Sequence, residues 1–244
     1  MRRLLVVLLV ALGATAAPAT AQDRLRPLSA KGPLRTERLS DERTITRWAH
    51  VFDEAVARSR PSRRGRRVGR LRFQTEDRRA EVYVAIRSRR VGRGTWLQVH
   101  LPGRPNGRRG WVPRSALGPL YVATTHLLVD RAALRATLRR GDQVLWESPI
   151  GIGTDAAPTP AGRFYVRQRL RNLAGGGTYG PWAFGTSAYS ALTDWPGGGV
   201  VGIHGTDQPG LLPGRVSHGC IRLPNEAIER LVRLMPIGTP VQVV

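Results

Sequence analysis

Cys220 is the only cysteine in the 244-residue sequence, and it stands in "SHGCIRL" (217–223) beside His218 and Gly219. A second histidine, His204, lies upstream in "GIHGT". A thiol is a weak nucleophile until a base takes its proton, and histidine is the usual partner. Side chains at i and i+2 share a face only in extended chain, so His218 and Cys220 diverge if the segment turns. His204, brought in from a neighbouring strand, is then the better base. Gly219, just before the thiol, allows a tight turn that aims backbone N–H groups at a developing oxyanion. Thiolate, base and oxyanion donors together are the equipment of acyl transfer. Two other readings use the same residues. Cys220 could be a buried apolar side chain, or one Cys and two His could hold zinc with a fourth ligand or water.

These residues need strands to carry them, and the second half of the chain supplies the pattern. "HLLVD", "ALRATLRRG" and "QVLWESPIGIG" alternate apolar and polar residues between turn signals, as half-buried strands do. "AAPTPAGRFYVRQRL" adds a proline-stiffened turn and another alternating run. "AGGGTYGPWAFGTSAYSALTDWPGGG" (174–199) is too rich in glycine for a helix and reads as loops with short strand pieces. "VVGIHG" is an apolar strand ending at His204. "NEAIERLVRLMPIG" (225–238) spaces Ile228, Leu231, Val232 and Leu234 as one helical face, with Asn225 as candidate N-cap. "TPVQVV" closes the chain as a strand.

Ahead of this lie further short alternating runs: "VGRLRFQTED", "EVYVAIRSRR", "TWLQVHLPG" and "GRRGWVPRSAL". Asn106-Gly107 between two of them is a strong hairpin signal. "DERTITRWAHVFDEAVAR" (41–58) fits a short helix or the start of a strand. The expected class is mainly β with one or two short helices. The expected division is a signal segment (1–21), a flexible basic lead-in (22–47), a small β-barrel domain (48–118) and a catalytic domain (122–244).

"GIHGT" followed by "RVSHGCIRL" resembles the signature of the L,D-transpeptidases, the YkuD-type domain family. The resemblance takes in the strand-borne histidine, the S-H-G-C core, Ile-Arg-Leu after it and the helix downstream. "SPIGIGTDAAPTPAGRFYV" resembles the family's hairpin, and "YGPWAFGTSAY" resembles the segment lining its substrate crevice. It implies a β-rich catalytic domain in which Cys220 attacks a peptidoglycan stem peptide between a diamino acid and D-alanine. A thioester forms, D-alanine leaves, and the amine of a second stem takes the acyl group to give a 3→3 cross-link. Water as acceptor would make an L,D-carboxypeptidase. No metal or cofactor is implied.

The resemblance assigns roles by position. Cys220 is nucleophile and His204 the proton acceptor, then donor. The Gly219 and Cys220 amides are oxyanion donors. His218 shapes the site or is structural. Arg222, where some members carry Asn, binds a substrate carboxylate or pairs within the fold. Ser217 orients the site or serves the turn. Gly205 offers no side chain to hold His204, so a backbone carbonyl or a distant group must do so. Tyr179, Trp182 and Tyr189 line the crevice or simply pack. The first half, chiefly "GTWLQVHL" and "GWVPRSAL", loosely resembles bacterial SH3-like domains.

Composition narrows the setting. "MRRLLVVLLVALGATAAPATAQD" has a basic start, a short apolar run and an A-x-A site, the layout of a secretory signal cleaved after Ala21. The run is short for a stable membrane anchor. The sequence thus predicts export to the wall, periplasm or exterior, with no stable membrane anchor after cleavage. Net charge is +22. In an exported protein that charge favours anionic cell-wall polymers over nucleic acid as partner. A non-catalytic wall-binding protein is the rival to the enzyme.

Overall fold

The computed structural model describes residues 36–172, 176–194 and 196–244. The signal segment and residues 22–35 of the lead-in lie outside them. Eight strands form the first sheet: β1 (Thr36–Arg38), β2 (Thr46–His50), β3 (Val56–Arg58), β4 (Arg67–Arg70), β5 (Val82–Val91), β6 (Gly94–His100), β7 (Arg109–Pro113) and β8 (Tyr121–Ala123). Their order is β4-β3-β7-β6-β5-β2-β8, with β1 also on β5. The second sheet holds β9 (His126–Asp130), β10 (Arg135–Arg140), β11 (Gln143–Pro149), β12 (Gly151–Gly153), β13 (Gly162–Arg171), β14 (Trp182–Tyr189), β15 (Val200–His204), β16 (Gly214–Ser217), β17 (Ile221–Arg222) and β18 (Pro240–Val243). Its order is β11-β10-β9-β18-β13-β14-β15-β17-β12-β16. The α-helix among the described residues is α1 (Asn225–Leu234).

The first sheet reaches further than the sequence pattern predicts. Residues 36–47 are not a loose lead-in: β1 pairs with β5, and the Asp41 carboxylate accepts the amides of Arg43, Thr44 and Ile45. Within "TITRWAHV", Thr46–His50 are strand, because β2 is sandwiched between β5 and β8. Tyr121–Ala123, of which residues 122 and 123 are expected in the catalytic domain, instead closes the first sheet on β2. Asn225 is the first helical residue and Pro224 the cap position; its side chain accepts the amide of Thr206 instead of capping.

In the second sheet the alternation predicted for "HLLVD" is realised, with Leu127 and Val129 fully buried. α1 turns Ile228, Leu231 and Val232 onto the same core as Phe184, Ile203, Ile221 and Leu223. Burying such side chains stabilises by about 1.5–3 kcal/mol each, and here it fixes β15 and β17, the strands that flank the site.

The two sheets meet over a buried ionic cluster. Arg167 of β13 is 1% exposed, and its Nε donates to Glu81 Oε1 at 2.8 Å. A second Arg167 nitrogen pairs with both Glu81 and Glu76. Tyr165 donates its hydroxyl to the Val82 carbonyl at 2.8 Å. Val82, Val84 and Tyr165 form a small apolar core between the sheets, with Trp48 and Ile237 against it.

Candidate active site

β15 and β17 run parallel, with Ile203 opposite Ile221 and His204 opposite Arg222. Cys220 immediately precedes β17, so the nucleophile and base candidates approach from adjacent strands. Gly202 and His204 are two apart on β15 and share a face. The Gly202 amide donates to Cys220 Sγ at 3.4 Å. A β-carbon on Gly202 would lie 3.6 Å from His204 Cδ2 and 3.8 Å from Cys220 Sγ. The imidazole and the sulfur therefore border one bare spot over the strand.

His204 is 2% exposed. Its Nδ1 lies 2.6 Å from the Gly205 carbonyl. A carbonyl only accepts, so Nδ1 carries the proton and Nε2 presents a lone pair, the tautomer a general base needs. The holding group is thus the backbone of Gly205. A side chain at Gly205 would strike Asn225 Oδ1, which is occupied in fixing the next amide, Thr206. Burial pushes the His204 pKa down to about 4, with the Arg222 charge acting the same way and the Gly205 bond opposing. Burial also pushes the Cys220 thiol up, against the Gly202 bond and Arg222. At neutral pH the pair is thiol plus imidazole, not a preformed ion pair.

The turn before the sulfur is closed from within. Ser217 is buried, donates to the Cys220 carbonyl at 2.6 Å and accepts the Gly219 amide at 3.2 Å. Gly219 has φ +113°, and a β-carbon there would meet Ser190 Cβ at 3.1 Å. Only glycine suits both demands. The Thr159 hydroxyl donates to the Gly219 carbonyl and accepts the Gly153 amide, both at 2.9 Å.

The other candidates separate. Tyr179 is 44% exposed and stands edge-on to His204, ring centroids 4.9 Å apart. Arg222 lies beside His204 with a buried Nε that makes no hydrogen bond among the described residues. His218 is exposed at the surface of the turn. Trp182 does not face the site. Ala183 is the residue opposite His204, so Trp182 points to the other side, beneath the guanidinium groups of Arg169 and Arg171. Tyr189 turns into the seam between sheets, where its hydroxyl donates to Glu76 at 2.5 Å. Ser217 serves the turn. Among the described residues, no three His, Cys, Asp or Glu side chains gather into a metal-ligating group.

Gly202 and Thr159 are the residues that sequence reasoning passed over. The first had a signal: a glycine two before the histidine on a strand leaves that face open. The second had none beyond a threonine between two prolines.

The stretch of chain that carries this thiol and oriented imidazole matches a known domain. Residues 124–243 match the family model for the YkuD L,D-transpeptidase catalytic domain. The putative L,D-transpeptidase YkuD of Bacillus subtilis is 32% identical over 123 residues, 50% of this chain and 68% of that protein. This chain belongs to the YkuD-type L,D-transpeptidase family. The Bacillus licheniformis YkuD is 31% identical over 102 residues, 42% of this chain and 54% of its own length. The catalytic domain of the E. faecium L,D-transpeptidase is 31% identical, covering 49% of this chain and 96% of that structure at a TM-score of 0.37. The chain spans just over half the length of some relatives, and the matches to the Bacillus relatives and the E. faecium domain leave about half of this chain uncovered.

Proposed function

We propose that the protein is an exported transpeptidase that acylates Cys220 with a peptidoglycan tetrapeptide stem. His204 Nε2 takes the thiol proton as sulfur attacks the carbonyl between the diamino acid and D-alanine. The C–N bond breaks, and the same proton passes to the leaving D-alanine amine. An acceptor amine on a second stem then attacks the thioester carbonyl, the C–S bond breaks, and His204 passes the amine's proton to the departing Cys220 sulfur, giving a 3→3 cross-link and the free thiol. The Gly219 amide is committed to Ser217, so the Cys220 amide is the better placed oxyanion donor of the expected pair. The exposed edge of Tyr179 and the unpaired Nε of Arg222 favour substrate contacts beside the base, Arg222 with a stem carboxylate. The observation that carries this reading is the shared bare face over Gly202, bordered by imidazole and sulfur.

Retention on anionic wall polymers accompanies the activity. Residues 36–123 hold 21 arginines against 8 acidic residues, whereas residues 124–244 hold 12 against 8. Arg66, Arg67, Arg108 and Arg109 line an open cavity of about 600 Å³ on the first sheet.

The test is intact-mass measurement of the secreted chain with a disaccharide-tetrapeptide, beside Cys220→Ala and His204→Ala. An adduct and D-alanine release that vanish in Cys220→Ala are expected. Cross-linked dimer identifies the transpeptidase and tripeptide the carboxypeptidase. A folded wild type with neither adduct nor turnover would leave a non-catalytic wall-binding protein.

A further inference from the structure

Arg104 belongs to the first sheet but spends its guanidinium on the second. It lies in the loop between β6 and β7. Its Nε and Nη2 donate to the Ser190 carbonyl at 3.0 and 2.7 Å. Nη2 also donates to Leu192 O at 2.8 Å, and Nη1 to Gly198 O at 3.0 Å. The group lies over the Tyr189 ring, 5.2 Å from its centroid. Two residues on, Asn106 pairs with the Tyr189 main chain in both directions, donating to its carbonyl at 2.8 Å and accepting its amide at 2.9 Å. The Asn-Gly signal does mark the β6–β7 hairpin, but the asparagine side chain works across the seam.

The segment so held joins β14 to β15. It is closed at its base by the Ser190 amide on Gly199 O at 2.9 Å. A β-carbon on Gly199 would strike the Leu192 carbonyl and the Arg104 guanidinium. The segment contains Gly197, Gly198 and Gly199, all at positive φ, so holding it costs more backbone entropy than an ordinary loop. It borders the reaction centre on two sides. Ser190 is the surface on which Gly219 rests, and Gly199 leads directly into the strand bearing Gly202 and His204.

We propose that Arg104 is a positioning residue for the acyl-transfer site. From the β6–β7 loop it fixes Ser190, Leu192 and Gly198 at the two ends of the β14–β15 connection, and through them the placing of the Gly219–Cys220 turn and of β15. The first sheet is then part of the working site and not only a wall anchor. Arginine suits the place because its planar fork spreads four hydrogen bonds from three nitrogens over three carbonyls, whereas a lysine ammonium offers three donors from a single point. This inference rests on the acyl-transfer reading, and its test is built to fail separately from it.

The experiment compares full-length wild type with Arg104→Met, Arg104→Lys, Asn106→Ala and the exposed-turn control Arg93→Met. Each is followed by thermal unfolding, steady-state kinetics on the tetrapeptide, and amide hydrogen exchange. Arg104→Met should lower kcat by about tenfold to a hundredfold, as small misplacements at a reacting centre do, with much less change in KM. Exchange should quicken at 190–199 and at the Gly202 amide, whose acceptor is the catalytic sulfur. Lysine should rescue only in part, and Arg93→Met should match wild type. A kcat within about twofold of wild type, or a loss matched by an equal loss of folded protein, overturns the proposal. If wild type does not turn over, the acyl-transfer reading fails by itself. Exchange then decides on Arg104: unchanged protection at Gly202 overturns the coupling, and faster exchange there upholds it.

Discussion

The amide of Gly202 donates to the sulfur of Cys220 across 3.4 Å, tying the proposed nucleophile to the strand that carries its proposed base. Gly202→Ala keeps that amide but sets a methyl 3.6 Å from His204 Cδ2 and 3.8 Å from Cys220 Sγ. Those are ordinary contacts, so the variant should fold and melt as wild type does. On the proposed mechanism, the methyl fills the gap through which the stem carbonyl reaches the sulfur. Acylation of Cys220 should slow by about tenfold to a hundredfold, read by timed intact-mass measurements. An unchanged rate would show that the carbonyl arrives from another side.

The pH dependence follows from the depressed base. His204 is held at about 4 against an ordinary 6.5. Turnover should therefore survive through pH 5 and lose its base only near pH 4. The same burial acts on stability. Between pH 6.5 and about 4 the unfolded chain binds a proton that the native imidazole refuses. Stability contributed by the neutral histidine is full above pH 6.5 and falls as pH drops toward 4, by roughly 3 kcal/mol in all. Urea unfolding of wild type and His204→Gln across this range checks the sign. The wild-type curve should fall more steeply with acid, and parallel curves would refute the buried neutral imidazole.

Arg222 pulls the His204 imidazole and the Cys220 thiol in one direction. Its charge lowers His204 and offsets part of the rise that burial imposes on Cys220. Arg222→Gln should move the acid limb of turnover only slightly upward from about 4, because burial, the main cause of the depression, stays in place. The thiol should titrate higher as well. Iodoacetamide alkylation of Cys220 as a function of pH reads the second shift without substrate. If Arg222 also binds a stem carboxylate, KM rises in the same variant. A shift of neither limb would mean that its charge is screened by water.

The approach of His204 to Cys220 from a neighbouring strand could be read from the strand pattern, because "VVGIHG" is an apolar run that ends at the histidine. The strands at 126–149 and the helix at 225–234 were equally visible, since each repeats its apolar period over several residues. Arg167 was not. An arginine within an alternating strand reads as a solvent-facing residue, and only the arrival of Glu81 from the other sheet buries it. Arg104 and Asn106 escaped for the same reason: their partners lie more than eighty residues away. The family resemblance leaves Tyr189 either lining the crevice or packing, and its hydroxyl in fact answers to Glu76 across the seam.

Wall retention, if electrostatic, has a simple signature. Most of the arginine excess lies in residues 36–123, on and around the sheet with the arginine-lined cavity. Attraction between exposed charges is screened within about 10 Å at 0.1 M salt. Binding to isolated walls should fall away as salt rises, and Arg66→Ala with Arg109→Ala should weaken it while leaving Cys220 acylation intact. Retention that persists in high salt would point instead to uncharged wall contacts.

The strongest stability prediction concerns the seam. Glu81 has no exposed side-chain surface, and Arg167 is its principal partner, with Arg72 adding a bond at 3.2 Å. Arg167→Met removes the main countercharge and leaves a buried carboxylate short of donors. Such one-sided breaks cost about 3–5 kcal/mol, whereas replacing both partners by apolar groups of similar volume is often near neutral. Arg167→Met should therefore lower the urea midpoint sharply, and Arg167→Met with Glu81→Leu should recover much of the loss. Glu76 and the Tyr189 hydroxyl lose a partner in both variants, so recovery is expected to be incomplete. Equal losses in single and double variants would mean that the cluster acts through packing and not through charge.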